Sequence, residues 1–491
     1  MLLKIDNHNA VPIYRQIVNQ IKALVDHGMI EVGNALPSTR SLAESLGVNR
    51  STISKAYDEL KVLGYLNSRP GSYNIIQKRR KEAKYYPDRK CRLSWKDLVT
   101  DSAERTFQNF LCNLADIPTR TKNGDGSMID LSELHLDPNL FPVEDLRRSY
   151  NKVLIESGSE ALDFCPPEGN RNFREYIAQR LRLHGISTSY EEILITYGSQ
   201  QALDLIIRML ARSEKKVVVE APTYFNILPL LEFQGIEVLS IPMRDDGMDL
   251  DYLENLLAAE TVSFVYTIPN FHNPTGIVTS HQHRERLLNI CLQHDVPIVE
   301  DGFEEEMKYS GTVPLPIKSI DEHNIVIYVG TFSKILCPGV RVGWITADKG
   351  CIARLVAVKR CSDLRCSNLT QSAMYQFCKS GYYDMHIKRL HRVFRRRMEV
   401  ALETIEKSFP DKASWTQPQG GYLIWVKIPK RLTGKQLSDF MAQHGIIVSP
   451  GSYYFADRDD AEYFRVSISR LGEDEIREGF SALGRVLHNL C

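Results

Sequence analysis

Lys334 closes the run Thr331-Phe332-Ser333-Lys334, and Arg341 follows seven residues later in Pro338-Gly339-Val340-Arg341-Val342-Gly343-Trp344. A lysine amine condenses with an aldehyde, and hydroxyls beside a guanidinium make a bed for a phosphate. Asp301 ends the hydrophobic run Pro297-Ile298-Val299-Glu300-Asp301, where a carboxylate can keep a ring nitrogen protonated. Asn273, in Asn273-Pro274-Thr275-Gly276, offers an amide donor to a ring hydroxyl, and Tyr224, in Glu220-Ala221-Pro222-Thr223-Tyr224, offers a stacking face. The loop Tyr197-Gly198-Ser199-Gln200-Gln201 precedes the apolar run Ala202–Leu210 and leaves backbone N–H groups for an anion. Aldehyde, basic ring nitrogen, ring hydroxyl and phosphate together make pyridoxal 5′-phosphate, whose ring acts as an electron sink. Singly, each residue has a plainer reading: a surface lysine, a helix-capping aspartate, an ordinary Asn-Pro turn. Their joint occurrence, in this order, favours the cofactor.

Those residues need a sheet to hold them. From Met128 onward, strand-like runs at Ile193–Thr196, Val217–Val219, Ser263–Thr267, Pro297–Val299 and Ile325–Val329 alternate with helical patterns, which implies an α/β domain. Residues 78–127 open on Lys78-Arg79-Arg80-Lys81 and end in Thr119–Ser127, with almost nothing to bury; they read as a linker, with a short helix near Trp95–Leu98. No internal repeat is visible.

Residues 1–77 form a separate module. Pro12 opens a helix with Tyr14, Ile17, Ile21 and Leu24 on one stripe. A second helix starts in Pro37-Ser38-Thr39-Arg40 and ends at Leu46-Gly47; a third, after Val48-Asn49-Arg50, turns Ile53, Ala56, Tyr57, Leu60 and Leu63 inward. This is a helix-turn-helix, with Tyr65-Leu66 and Tyr73–Ile76 as a two-stranded wing around Arg69-Pro70-Gly71-Ser72. Arg50, Ser51, Thr52, Ser54 and Lys55 stand where groove contacts are expected. A small helical protein-interaction domain is the alternative, and the charge balance and the wing argue against it.

The chain has 491 residues and no net charge, but the cancellation is uneven. Residues 1–90 hold 15 Lys/Arg against 8 Asp/Glu, leaving 46 against 53 for the rest, so a basic end is joined to an acidic body. The apolar share, 43%, excludes a wholly disordered chain, and no apolar stretch reaches the length of a membrane span. Ten scattered cysteines show no C-x-x-C pair, so neither a metal site nor a disulfide framework is expected. The opening residues do not read as a secretion signal, and a cytoplasmic protein is expected.

Pro37–Leu66 resembles the winged helix-turn-helix of GntR-type bacterial regulators almost throughout. By that resemblance Arg40, Arg50, Ser51 and Thr52 contact DNA, and Lys55 on the same helix face and Arg69 in the wing are expected to join them; Tyr73 replaces the second glycine of the usual wing. From Asp130-Leu131 to the C-terminus the chain is similar to fold-type-I pyridoxal-phosphate enzymes, especially kynurenine and aromatic aminotransferases. The resemblance implies a large domain with a mixed, mainly parallel sheet, followed by a small C-terminal α/β subdomain. It makes Lys334 the lysine bonded to the cofactor and Asp301 the partner of its ring nitrogen. Asn273 then bonds the ring oxygen, Tyr224 stacks, and Gly198, Ser199, Gln200, Thr331, Ser333 and Arg341 surround the phosphate. Arg465 grips a substrate carboxylate, and Gly420-Gly421-Tyr422 lines the pocket.

Two positions depart from the family pattern. Phe303 and Phe164 stand where relatives commonly carry tyrosines that bond the cofactor, each absent hydroxyl removing ~0.5–1.5 kcal/mol. Cofactor binding is expected to survive this; turnover is expected to be weak at most. The fusion as a whole looks like the MocR type of transcriptional regulator. That implies a head-to-tail homodimer on an operator with two half-sites, an amino compound or the cofactor itself as effector, and control of amino-acid, amine or vitamin B6 genes. The helix His386–Lys407 carries Lys388, Arg389, Arg392, Arg395, Arg396 and Arg397, which read either as a solvated face or as a track for DNA.

Overall fold

The computed structural model describes residues 3–7, 9–67, 74–77, 98–116, 128–212, 214–457 and 461–490. The chain divides into two compact units, Met1–Ser94 and Trp95–Cys491.

In the first unit, α1 (Ile13–Asp26), α2 (Thr39–Leu46) and α3 (Arg50–Val62) bury one apolar core. Ser38 caps α2 by accepting from the Ser41 N–H at 3.1 Å, and Gly47 closes it in the left-handed conformation. Asn49 caps α3 by accepting from the Ser51 N–H at 3.0 Å. Ile53, Ala56, Tyr57 and Leu60 lie inward as their spacing requires, while Leu63, expected inward, is half-buried at the helix end. The wing pairs Leu66–Asn67 with Ile75–Ile76 antiparallel. Arg69, Gly71 and Tyr73 lie outside the described residues.

The second unit is built on an eight-stranded mixed sheet. Its order is Ile193–Thr196, Gly343–Thr346, Val326–Thr331, Ile298–Asp301, Val262–Thr267, Lys216–Ala221, Val238–Arg244 and Gly247–Met248. Gly343–Thr346 runs antiparallel to both its neighbours, Gly247–Met248 turns back on Val238–Arg244, and the other pairings are parallel. Alternate residues face opposite cores: Val217 and Val219 join one and Val218 the other, so both faces are covered. A smaller antiparallel sheet holds Ser414–Trp415, Leu423–Leu432, Ala461–Ser467 and Ser449–Pro450. The architecture is therefore α/β, with the expected large domain and smaller C-terminal subdomain.

Two expectations need correction. Part of the stretch read as a linker is the 16-residue helix Asp101–Asp116, packed on the helices Ile227–Phe233 and Gly434–Gln443. Asp101 and Glu104 sit in its first turn, the Thr100 hydroxyl accepts from the Ala103 N–H, and Asn109 Nδ2 donates to Glu232 at 2.7 Å. That segment belongs to the large domain; Trp95–Asp97 lie outside the described residues. The basic helix spans Tyr382–Ser408, and not all its arginines face solvent. Arg397 is buried in an ion pair with Asp137 at 2.6 Å, and Arg395 Nε donates to the Tyr309 carbonyl. Arg397 is thus a structural cation, unavailable to a DNA track.

Candidate functional site

The parallel strands deliver their C-terminal ends to one edge of the large sheet, the usual place for a ligand in such folds. Asp301 ends the strand Ile298–Asp301 and is 2% exposed. Its Oδ2 accepts from the Tyr266 hydroxyl at 2.9 Å, whereas the buried Oδ1 has no partner. Burial pushes the Asp301 carboxyl up to about 6, against the opposing pull of Tyr266, the Phe303 N–H and Lys334.

The neighbouring strand, Val326–Thr331, leads directly to Lys334. Thr331 Oγ1 accepts from the Ser333 N–H at 3.1 Å and fixes this turn, and Ser333 Oγ is buried without a partner. Lys334 Nζ donates to the Leu134 carbonyl at 2.9 Å. Burial, followed by Arg465, lowers its amine to about 8, so a substantial neutral fraction exists near physiological pH.

On the other side of Gly343–Thr346, the strand Ile193–Thr196 passes through Tyr197-Gly198 into the helix Ser199–Leu210. No side chain caps that helix, and Gly198 holds φ +83°. A Cβ at Gly198 would lie 3.0 Å from Arg341 Nη2, so glycine permits the guanidinium to approach the helix N-terminus. Arg341 Nη2 donates to the Tyr197 carbonyl at 2.9 Å. Free helix N–H groups, Arg341 and the orphaned Ser333 hydroxyl form an anion cradle.

Between these ends lie Tyr224 and Asn273. The Tyr224 hydroxyl accepts from Asn226 Nδ2 at 2.9 Å, and burial lifts the phenol to about 12, keeping it neutral. Gln200 Nε2 donates to the Asn226 carbonyl, so Gln200 offers the anion its backbone N–H rather than its side chain. Asn273 Oδ1 accepts from Arg465 Nη1 at 3.1 Å, which leaves the amide hydrogens for a ring oxygen. Arg465, 3% exposed, also donates from Nη2 to the Ser132 carbonyl at 2.7 Å, with its Nε unpartnered. Residues spread over the sequence from Gly198 to Arg465 thus meet in one site.

The family model for aminotransferase class I and II matches residues 128–483. The chain belongs to the aminotransferase class I and II family. Residues 13–72 match the GntR family of bacterial regulatory proteins, and the fusion is that of a MocR-type regulator. The HTH-type transcriptional regulator YisV of Bacillus subtilis is 30% identical over 481 residues, which cover 98% of this chain and 97% of that protein. The solved multiple substrate aminotransferase of Thermococcus profundus superposes with a TM-score of 0.76 at 31% identity, covering 81% of this chain and 99% of that one. LysN, the α-aminoadipate aminotransferase of Thermus thermophilus, solved with N-(5′-phosphopyridoxyl)-L-leucine, gives 0.73 at 30% identity, covering 81% and 99%.

The cofactor of this family member is pyridoxal 5′-phosphate, and the residues present fit it. Asp301 Oδ1 is a buried, unpaired acceptor suited to a protonated ring nitrogen, and Ser333 Oγ is a buried, unpaired hydroxyl suited to a phosphate. Phe303 is buried and brings no polar atom; Phe164 is 75% exposed, with the Arg365 guanidinium 4.9 Å above its ring.

In the first unit, Arg50, Ser51 and Lys55 are exposed along one face of α3, and Thr52 is half-buried. The Ser51 hydroxyl donates to Asn49, and Lys55 Nζ lies 4.3 Å from the Tyr14 ring centre. Arg40 pairs with Glu44 on the solvent face of α2.

Sequence reasoning missed Tyr266, which orients Asp301, and Glu304, a fully buried carboxyl facing Lys334. Glu304 stands in the run Glu304-Glu305-Glu306 just beyond a strand end, a signal that draws attention to carboxylates without showing which is paired.

Proposed function

We propose that this transcriptional regulator binds an amino compound, or pyridoxal 5′-phosphate itself, at Lys334 and changes its hold on operator DNA in response. The observation carrying this reading is the site itself: Lys334, Asp301 and Arg465 are all retained beside unpartnered oxygens at Asp301 and Ser333. When bound, the cofactor supplies an aldehyde for amines and a ring that withdraws electrons from them. The protein's own groups hold and orient. Asp301 and Tyr266 fix the ring nitrogen's acceptor, Arg341 and the helix N-terminus take the phosphate, and Arg465 takes a carboxylate. Arg50, Ser51, Thr52 and Lys55, with Arg40 and Arg69, contact the DNA, phosphate oxygens first and base edges second. The active form is a cytoplasmic head-to-tail homodimer spanning two half-sites, acting on genes of amino-acid, amine or vitamin B6 metabolism.

The test is operator binding by the full chain with and without cofactor, across a panel of amino acids and amines, for wild type and Lys334→Ala. A response to cofactor or ligand that vanishes in Lys334→Ala is expected. Affinity unchanged by every addition would refute the reading. A working aminotransferase is the second reading, favoured by the intact pair Lys334 and Arg465; multiple-turnover transfer from an amino donor to a 2-oxo acid would establish it.

A further inference from the structure

Three successive carboxylates follow Asp301, and two are fully engaged. Glu305 accepts from Asn270 Nδ2 at 2.5 Å and pairs with Lys308, and Glu306 accepts from Arg180 through two bonds of 2.6 and 2.9 Å. Glu304 is 0% exposed, and neither of its oxygens makes a hydrogen bond. The Tyr422 N–H faces the carboxyl without completing one. Its cationic neighbours are Lys334 and Arg465, neither close enough to form an ion pair. The carboxyl lies against Gly421, where any Cβ would collide with Oε2. The adjacent Tyr422 hydroxyl donates to the Lys334 main-chain oxygen at 3.3 Å, tying this wall to the lysine. A buried carboxyl without a partner is costly, and folds retain such groups mainly where a ligand or a proton completes them.

We propose that Glu304 is the proton-holding partner of Lys334: in the cofactor-loaded site its carboxyl bonds, directly or through one water, to the nitrogen joining Lys334 to the cofactor and favours its protonated form. The inference rests on the cofactor reading above. One proton passes between a Glu304 oxygen and the Lys334 nitrogen, and no other bond is made or broken.

Electrostatics agree with the geometry. Burial pushes Glu304 up to about 8, opposed by Lys334 and Arg465. Burial and Arg465 bring Lys334 down to about 8, with Arg341 acting in the same sense and Glu304 and Asp301 opposing. Two groups of such similar affinity share a proton. The phenols of Tyr309 and Tyr422 also face Glu304; burial first, and then the carboxylate, drive both well above their usual range, so they stay neutral.

The visible absorption band of the cofactor-loaded full chain, titrated with pH, tests the proposal. Glu304→Gln removes the negative charge opposing burial and Arg465, so the midpoint should fall by about one unit, a tenfold loss of the protonated form above the midpoint. Glu304→Asp should recover part of the shift. A Glu304→Gln midpoint equal to wild type overturns the proposal. Should Glu304→Gln not fold, the loaded wild type decides by infrared difference spectroscopy: a carboxylate stretching band must shift in step with the visible transition, as ionised Glu304 loses its protonated partner, and carboxylate bands that do not move overturn the proposal. A wild type that takes up no cofactor refutes the cofactor reading and this inference with it; an unmoved midpoint in a loaded protein refutes this inference alone.

Discussion

Asp301→Asn should stabilise the cofactor-free protein while loosening its hold on the cofactor, and the structure sets the size of both effects. In the folded chain the carboxyl is raised from 3.8 to about 6, chiefly by burial. An acid whose folded value is raised destabilises the fold above both values, by 1.36 kcal/mol per unit, or about 3 kcal/mol here. The penalty is absent below the unfolded value, develops between pH 4 and about 6, and is complete at pH 8. Asparagine removes it and can still accept from the Tyr266 hydroxyl through Oδ1. Its Nδ2 would then be buried where Asp301 Oδ1 has no partner, at a cost of about 1–2 kcal/mol. The net expectation at pH 8 is a gain of ~1–2 kcal/mol, shrinking toward zero or below as pH falls to 4.

Urea unfolding of the cofactor-free wild type and variant at pH 8 and pH 5, followed by tryptophan fluorescence, measures this directly. With cofactor present the order should reverse. The variant cannot place a charge against the ring nitrogen, and losing a charge-assisted hydrogen bond of ~1.5–3 kcal/mol weakens binding roughly 10- to 100-fold. A variant that is less stable than wild type without cofactor at pH 8 would refute the account of Asp301 as an acceptor held ready at the fold's expense.

Gly198→Ala should cost about 1–2 kcal/mol in stability from the φ of +83°, and should weaken cofactor binding at least tenfold by pressing on Arg341; competition with inorganic phosphate and calorimetric titration read both. Arg397→Ala should destabilise the large domain by about 3–5 kcal/mol, since it strands buried Asp137, whereas Arg396→Ala, on an exposed face, should change urea unfolding by less than about 0.5 kcal/mol. Asn49→Ala should cost the first unit about 1 kcal/mol through its lost cap, and Arg50→Ala should leave stability alone while flattening the salt dependence of operator binding by about one phosphate contact.

The parts legible in the sequence are those governed by local rules. Ser38, Gly47 and Asn49 end or begin helices where cap chemistry places them, and Ile193–Thr196 is a strand over the very residues its apolar run marks. The order Gly198, Tyr224, Asn273, Asp301, Lys334, Arg341 is expected because each residue type meets a distinct demand of one cofactor, whereas Arg465 comes only from the family resemblance. Long-range partners could not be read. Asp101–Asp116 looks too polar to hold structure until the helices it rests on are known, and Arg397 looks like its exposed neighbours until Asp137 arrives from 260 residues away.

Glu300 through Glu306 make the limit sharpest, because five carboxylates of nearly one kind meet four different fates. Glu300 accepts the N–H groups of Ile317 and Lys318 and holds a loop. Asp301 keeps one oxygen for Tyr266 and one for a ligand; Glu305 and Glu306 are consumed by His184, Arg180 and Lys308. Only Glu304, of these five, has no hydrogen bond at all. Side-chain type says that a residue can hold a proton or a cation, and partner supply decides whether that capacity is already spent. Among the acids and hydroxyls the fold leaves incomplete, Asp301 Oδ1, Ser333 Oγ and the Glu304 carboxyl are those that belong to the lysine's site, and functional capacity lies with them. Completing these bonds from within, by second-site donors that satisfy them without the cofactor, should raise stability and abolish ligand response together.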